Sequence, residues 1–157
     1  MSGNGFGGLN SFAKALLDTA QKRNILFLEM TKHITADFLA EVMKRTPVGE
    51  GTTATVEDKT VKISQGGTLR RSWKAGNVEN IGEYWTSTVF NPVEYASYVE
   101  YGHRQTPGRF VPAIGKRLKR SWVEGQHMMQ ISAEHTTKRS EEYIKREIGL
   151  FLLGRFK

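Results

Sequence analysis

Apolar side chains recur along the first third of the chain at helical spacing. Leu16, Leu17, Ala20, Phe27, Met30, Ile34, Phe38 and Val42 form a stripe whose phase wavers around Lys22 to Ile25. With Ser11 as N-cap, the pattern predicts one helix from Ser11 to about Arg45, where Pro47 disfavours helical backbone at Thr46. A helix of that length spans about 50 Å, enough to cross a small domain and project to a partner. Ahead of it, residues 1–10 hold Gly3, Gly5, Gly7 and Gly8, and are expected to form a flexible glycine-rich arm. The second helical stripe comprises Met129, Ala133, Ile144, Ile148, Phe151 and Leu152. It predicts a helix from about Gln126 to Leu153 that stops at Gly154. Glu141 with Lys145, and Glu142 with Arg146, stand four apart in the favourable order. The polar run His135 to Ser140 predicts exposure or a break in the middle of this helix.

Between the helices the period changes to two. Trp73 to Glu79 and Glu83 to Asn91 read as antiparallel strands around Asn80-Ile81-Gly82. Tyr84, Thr86, Thr88 and Phe90 occupy one face of the second strand, and Trp85, Ser87 and Val89 the other. Large aromatics on both faces predict that both are covered, one by the helices and one by a neighbouring subunit. The segment Val48 to Thr68 has no helical period. Within it Thr55-Val56 and Thr60-Val61-Lys62-Ile63 flank Glu57-Asp58-Lys59 as a small exposed hairpin. Gly66-Gly67 is no phosphate loop, because no Gly-Lys-Ser/Thr follows.

Tyr95 to Arg104 reads as a short amphipathic helix closed by a glycine. Tyr95, Tyr98, Val99 and Gly102 share one helical face, Asn91-Pro92 precedes them, and Gly102 permits the left-handed stop. A basic excursion then runs through residues 103–121. It carries Arg104, Arg109, Lys116, Arg117, Lys119 and Arg120 and no acidic residue. Phe110-Val111-Pro112 is expected to pair with Leu118 to Val123 around Gly115-Lys116. A long basic loop in a small domain points to contact with nucleic acid or an acidic partner.

At 157 residues the length fits one domain, residues 11–157, of α+β class: long N-terminal helix, small antiparallel sheet, short central helix, long C-terminal helix. The net charge of +7 favours an acidic partner, against the plainer reading of solubility alone. With no cysteine there is no disulfide and no thiolate site. The glycine-rich start does not resemble a signal peptide, and no apolar run approaches a membrane span. No Ser-His-Asp arrangement suggests itself, and His33, His103, His127 and His135 have no metal-motif spacing. His33, Asp37 and Glu41, spaced by four, read as a solvated helix face. The expectation is no enzyme, no cofactor and no metal. A carboxylate pair of the glycosidase kind stays open, since such groups converge only in the fold.

Three blocks carry a resemblance. Tyr95-Ala96-Ser97-Tyr98-Val99-Glu100-Tyr101-Gly102-His103 resembles a signature of the head-to-tail joining proteins of long-tailed bacteriophages, the neck or tail-completion family labelled as tail components. Thr46-Pro47-Val48-Gly49 with Gly67-Thr68-Leu69-Arg70-Arg71-Ser72-Trp73 is similar to a second family block, split here by an insertion. Trp122-Val123-Glu124-Gly125-Gln126-His127-Met128-Met129 is similar to a third, with Glu124 where proline is usual. The resemblance implies a structural virion protein of the neck that joins the DNA-filled head to the tail, assembled in the host bacterial cytoplasm. It implies a homo-oligomeric ring, with a hexamer expected and a dodecamer open, between head-closure and tail terminator proteins, and no membrane. A tail terminator capping the tube and a basic DNA-binding module remain alternatives. Trp85, Phe90, Tyr95, Tyr98 and Tyr101 are the candidate subunit-interface residues, with the monomer core as the competing place for them. The six cations of the excursion are the candidate contacts to phage DNA or an acidic partner.

Overall fold

A computed structural model describes residues 5–49, 53–56, 59–62, 66–112 and 115–155. Helix α1 runs Gly5–Arg45 and helix α4 runs Met128–Leu152. They pack antiparallel: Val42 shares a core with Met128, Asp37 meets Arg139, and His33 meets Tyr143. Helix α1 begins ahead of Ser11, which is an interior residue and not the cap. No proline stands before Pro47 to interrupt it, and a helix once nucleated extends at little cost. Met1 to Asn4, part of the expected arm, lie outside the described residues. Helix α4 is continuous through His135 to Ser140. Of the two expectations exposure holds: His135, Thr137, Lys138 and Arg139 are exposed, and only Thr136 in this stretch is buried.

The strands form two-stranded antiparallel units. Strands β1 (Thr53–Val56) and β2 (Lys59–Lys62) pair as the insertion predicted, while Glu57, Asp58 and Ile63 lie outside the described residues. After helix α2 (Thr68–Arg71), the expected strand pair appears as one hairpin interrupted on both sides. Strand β3 (Lys74–Ala75) pairs with β6 (Val89–Phe90), and β4 (Glu79–Ile81) pairs with β5 (Tyr84–Thr86). The Gly76 N–H donates to Thr88 O at 2.7 Å between the two ladders. Alternation survives the break. Trp85, Ser87 and Val89 are half-buried, while Tyr84, Thr86, Thr88 and Phe90 are exposed. Only one of the two faces is therefore covered within the chain.

The core gathers where the ends of α1 and the start of α4 meet α2. Val42, Leu69, Trp73 and Met128 are buried there, with Leu39, Val89, Val93, Ala96 and Val99 against them. Thr46 holds this junction. Its hydroxyl donates to Val42 O at 2.6 Å and accepts from the Trp73 indole at 2.7 Å. Its carbonyl accepts from Arg70 Nε at 2.9 Å and Nη2 at 2.6 Å. Thr46 and the Arg70–Trp73 segment, far apart in sequence, are thus one hydrogen-bonded unit. Asn91 ties the next turn in, donating to Leu69 O at 2.8 Å and accepting from Val93 N.

Helix α3 (Ala96–Tyr101) presents Ala96, Val99 and Glu100 inward and Tyr95, Tyr98 and Tyr101 outward. The expected grouping of Val99 with Tyr95 and Tyr98 is corrected: the inward face is set by contacts to Val42 and Met128, while Asn91-Pro92 precedes the helix as expected. Glu100, only 5% exposed, accepts from Met129 N and Gln130 N at 3.1–3.4 Å. Its carboxylate thereby satisfies donors in the first turn of α4, at the positive end of the helix dipole. The backbones of Gly102 and Gly125 cross so closely that a Cβ on Gly125 would strike Glu100 O and Gly102 N.

Glu100→Ala is expected to lower stability by about 2 kcal/mol, since it leaves buried first-turn donors without an acceptor. Glu100→Gln, which keeps one acceptor oxygen, is expected to lose roughly half of that. Thermal denaturation of the two variants checks the order.

Candidate assembly and nucleic-acid interface

The basic excursion is a two-tier hairpin. Strand β7 (Gly102–Arg104) leaves α3 directly and pairs with β10 (Trp122–Glu124), matching Arg104 to Trp122 and Gly102 to Glu124. Beyond it, Gln105 N donates to Ser121 O at 2.8 Å, and Leu118 N to Arg109 O at 2.9 Å. Strands β8 (Phe110–Val111) and β9 (Lys116–Arg117) close the tip, with Phe110 opposite Arg117. The expected pairing is corrected here. Phe110-Val111 meets Lys116-Arg117, and Trp122-Val123-Glu124 returns to Gly102 at the base. The close crossing at Gly102 and Gly125 fixes that register.

Arg104, Arg109, Arg117, Lys119 and Arg120 are all exposed along this hairpin. Arg117 Nη1 donates to Gly108 O at 2.7 Å, bracing the tip. Lys116 lies on β9 beside it. Within the ladder no carboxylate comes before Glu124, so the tier keeps one sign of charge along its length. At the base, His103 lies 3.1 Å from Gln105 Nε2, and its ring sits 5.8 Å from that of Tyr98.

The five aromatic candidates divide over two surfaces. Tyr95, Tyr98 and Tyr101 stand outward on α3, and Phe90 stands on the uncovered face of its hairpin. Trp85 points the other way, toward α1, and its indole N–H lies 3.0 Å from the Asn80 amide oxygen in the orientation that satisfies both. It lines an open groove of about 740 Å³ with Phe27, Met30, Ile34, Ile144 and Ile148. That groove was not predicted as a site. Its signal lay in the α1 stripe, whose apolar positions exceed what α4 covers.

A polar seam joins the helices on the other side of the crossing. His33 stacks on Tyr143, with centroids 4.1 Å apart and planes 16° apart. Arg139 Nη2 donates to Asp37 Oδ1 at 2.9 Å and to Glu41 Oε2 at 3.4 Å, while Arg45 reaches Glu41 Oε1 at 2.6 Å. The reading of His33, Asp37 and Glu41 as a solvated face is therefore corrected in part: α4 lies on Asp37 and Glu41, while His33 stays exposed beside Tyr143. Burial raises the pKa of Glu41, but the Arg45 hydrogen bond and the charges of Arg45, Arg139 and Lys44 outweigh it and hold the carboxyl below its ordinary 4.5. Burial, together with the Glu147 carboxylate, pushes the Tyr143 phenol up. No group of three or more His, Asp or Glu side chains that could hold a metal ion occurs among the described residues.

Exposed cations thus lie along the basic hairpin, and exposed aromatics on α3 and at Phe90, away from the α1–α4 pair. The chain matches, over residues 9–102, the family described as "Bacteriophage HK97-gp10, putative tail-component", and it belongs to that family. It is a structural component of the bacteriophage tail and neck region. No curated protein and no solved structure matches it. No described helix is long and apolar enough to cross a membrane.

The lowered pKa of Glu41 gives a signed expectation. A carboxylate with a folded pKa below its unfolded value contributes stability above the unfolded pKa, and that contribution is lost as pH falls through the folded value. The stability gap between the wild type and Glu41→Gln is therefore expected to be widest at neutral pH and to close as pH drops below 4.5. Chemical denaturation across that range measures it.

Proposed function

We propose that this chain is the neck protein that joins the DNA-filled head to the tail, acting as a ring of identical copies, with six expected. The observation that carries this reading is the cation-lined hairpin anchored rigidly at the α3–α4 corner. One copy holds too few charges to retain duplex DNA at physiological salt, because non-specific binding is mostly phosphate neutralisation. Repeated around a ring, Arg104, Arg109, Lys116, Arg117, Lys119 and Arg120 give a strong positive field at the passage, suited to the DNA end or to an acidic face of the next ring. Head-closure and tail terminator proteins are the neighbours in this arrangement, which forms in the host bacterial cytoplasm and ends in the virion neck. The role is mechanical and non-enzymatic.

The outward tyrosines of α3 and Phe90 supply a contact surface for that assembly. Buried aromatics dominate interface energetics, and here they are presented to solvent by a helix whose inward face is already occupied. Tyr98, 58% exposed, contributes little to the monomer core. Tyr98→Ala is expected to weaken self-association in sedimentation while leaving the melting temperature within about 2 °C of wild type. A lower melting temperature with unchanged association would place the ring in the core instead.

Alanine at Lys116, Arg117, Lys119 and Arg120 together is expected to leave monomer stability nearly unchanged. In phage carrying that change, heads and tails should accumulate unjoined, or DNA-filled heads should leak. Tails of uncontrolled length would point to the terminator role, and normal phage yield would remove the hairpin from the function.

A further inference from the structure

Helix α1 outruns everything that packs on it. Helix α4 follows it from Val42 back toward Asn24, where the pairing of Ile148 beside Phe27 nears the end of α4 at Leu152. The first buried position described on α1 is Leu26. Residues 11–22 are exposed except for the half-buried Ala20, and the same helical face continues there as Phe12, Leu16 and Ala20, with Leu17 beside it. Phe12, Leu16 and Leu17 are 62%, 55% and 66% exposed. Lys14, Asp18 and Lys22 occupy the opposite side, where Lys22 and Asp18 pair at 2.8 Å. This is an amphipathic helix whose apolar face no other described element covers, and an isolated segment of that length is marginal in water.

The groove beside it has the complementary character. Phe27, Met30, Ile34, Trp85, Ile144 and Ile148 give an open trough between α1, α4 and the β4–β5 hairpin a largely apolar lining, to which Arg23 and Glu83 add one charge of each sign. The overhang cannot fill the groove of its own chain, because α1 is one continuous helix through Asn24 and the groove lies along its own next turns. A second copy can supply it.

Resting on the ring reading above, we infer that residues 11–22 of α1 dock into the α1–α4–β5 groove of the neighbouring copy. Donor and acceptor surfaces are different, so the contact is heterologous. Each docked pair leaves one free overhang and one free groove, and the series ends only by closing on itself. Every subunit of the ring then makes the contact twice, once as donor and once as acceptor.

The absence of cysteine makes the test clean, since introduced thiols are the only ones present. Full-length Leu16→Cys and Tyr84→Cys proteins, mixed and treated with a short thiol-specific cross-linker, are expected to give a covalent heterodimer. The double variant should give a ladder ending at the ring size. Leu16→Asp with Leu17→Asp should abolish association without lowering the melting temperature. Rings visible by electron microscopy with no link between the two sites would overturn this inference and leave the ring reading standing. Links only between two Leu16→Cys copies would also overturn it, in favour of a symmetric helix pair. No assembly of wild-type protein, alone or with the adjoining tail proteins, would sink both. A melting temperature lowered by Leu16→Asp with Leu17→Asp, with association kept, would show the overhang serving the monomer.

Discussion

The buried carboxylate of Glu100 is the interaction on which the rest depends. A charge at 5% exposure is costly unless its oxygens find donors, and here they find the first turn of α4. That single arrangement fixes three things. It sets where α4 begins, since Met129 N and Gln130 N must face α3. It sets the phase of α3, because Glu100 points inward and the tyrosines therefore point outward. It also sets the base of the basic hairpin, because Gln126 N and His127 N donate to Val99 O and Glu100 O while Gly102 and Gly125 cross. A side chain at either glycine would hold the two strands apart.

Thr46 does the same service at the other end of α1. Its hydroxyl and carbonyl together answer Val42, Trp73 and Arg70, so the helix ends in a saturated polar knot beside the apolar core. Together the contacts at Thr46 and Glu100 hold α1, α2, α3 and α4 in one relation and leave the outward tyrosines of α3 and the cation-bearing tier exposed.

The sequence was most legible where periodicity is strong. Both long helices followed from their stripes, α4 to within two residues at its start, and the alternation from Tyr84 to Phe90 survived a broken ladder. It was least legible where two elements meet. Nothing local to His33, Asp37 and Glu41 says that Arg139 and Tyr143 will meet them, a hundred residues away. The phase of α3 was misread for the same reason. Tyrosine is apolar enough to pattern as core, and glutamate is not, yet the helix terminus opposite reverses their places. The return of Trp122 to Arg104 was hidden because a cation-rich segment offers no alternation to fix a register.

The balance of buried and exposed apolar groups carries the argument from fold to assembly. Among the described residues six apolar side chains are buried, whereas sixteen large ones are exposed, including Phe12, Leu16 and Leu17 on α1 and Leu152 and Leu153 at the end of α4. A monomer selected to function alone would place more of them inside, since net stability is a small difference between large terms. A tail component need not. Its folded chain has only to persist until neighbours cover the remaining surface, and a lean core keeps that surface in reserve. The hydrogen-bonded knots at Thr46 and Glu100 then acquire a second meaning. They specify the relation of the helices before the apolar faces are covered, so the overhang, the groove and the basic tier are presented in fixed geometry to whatever completes them.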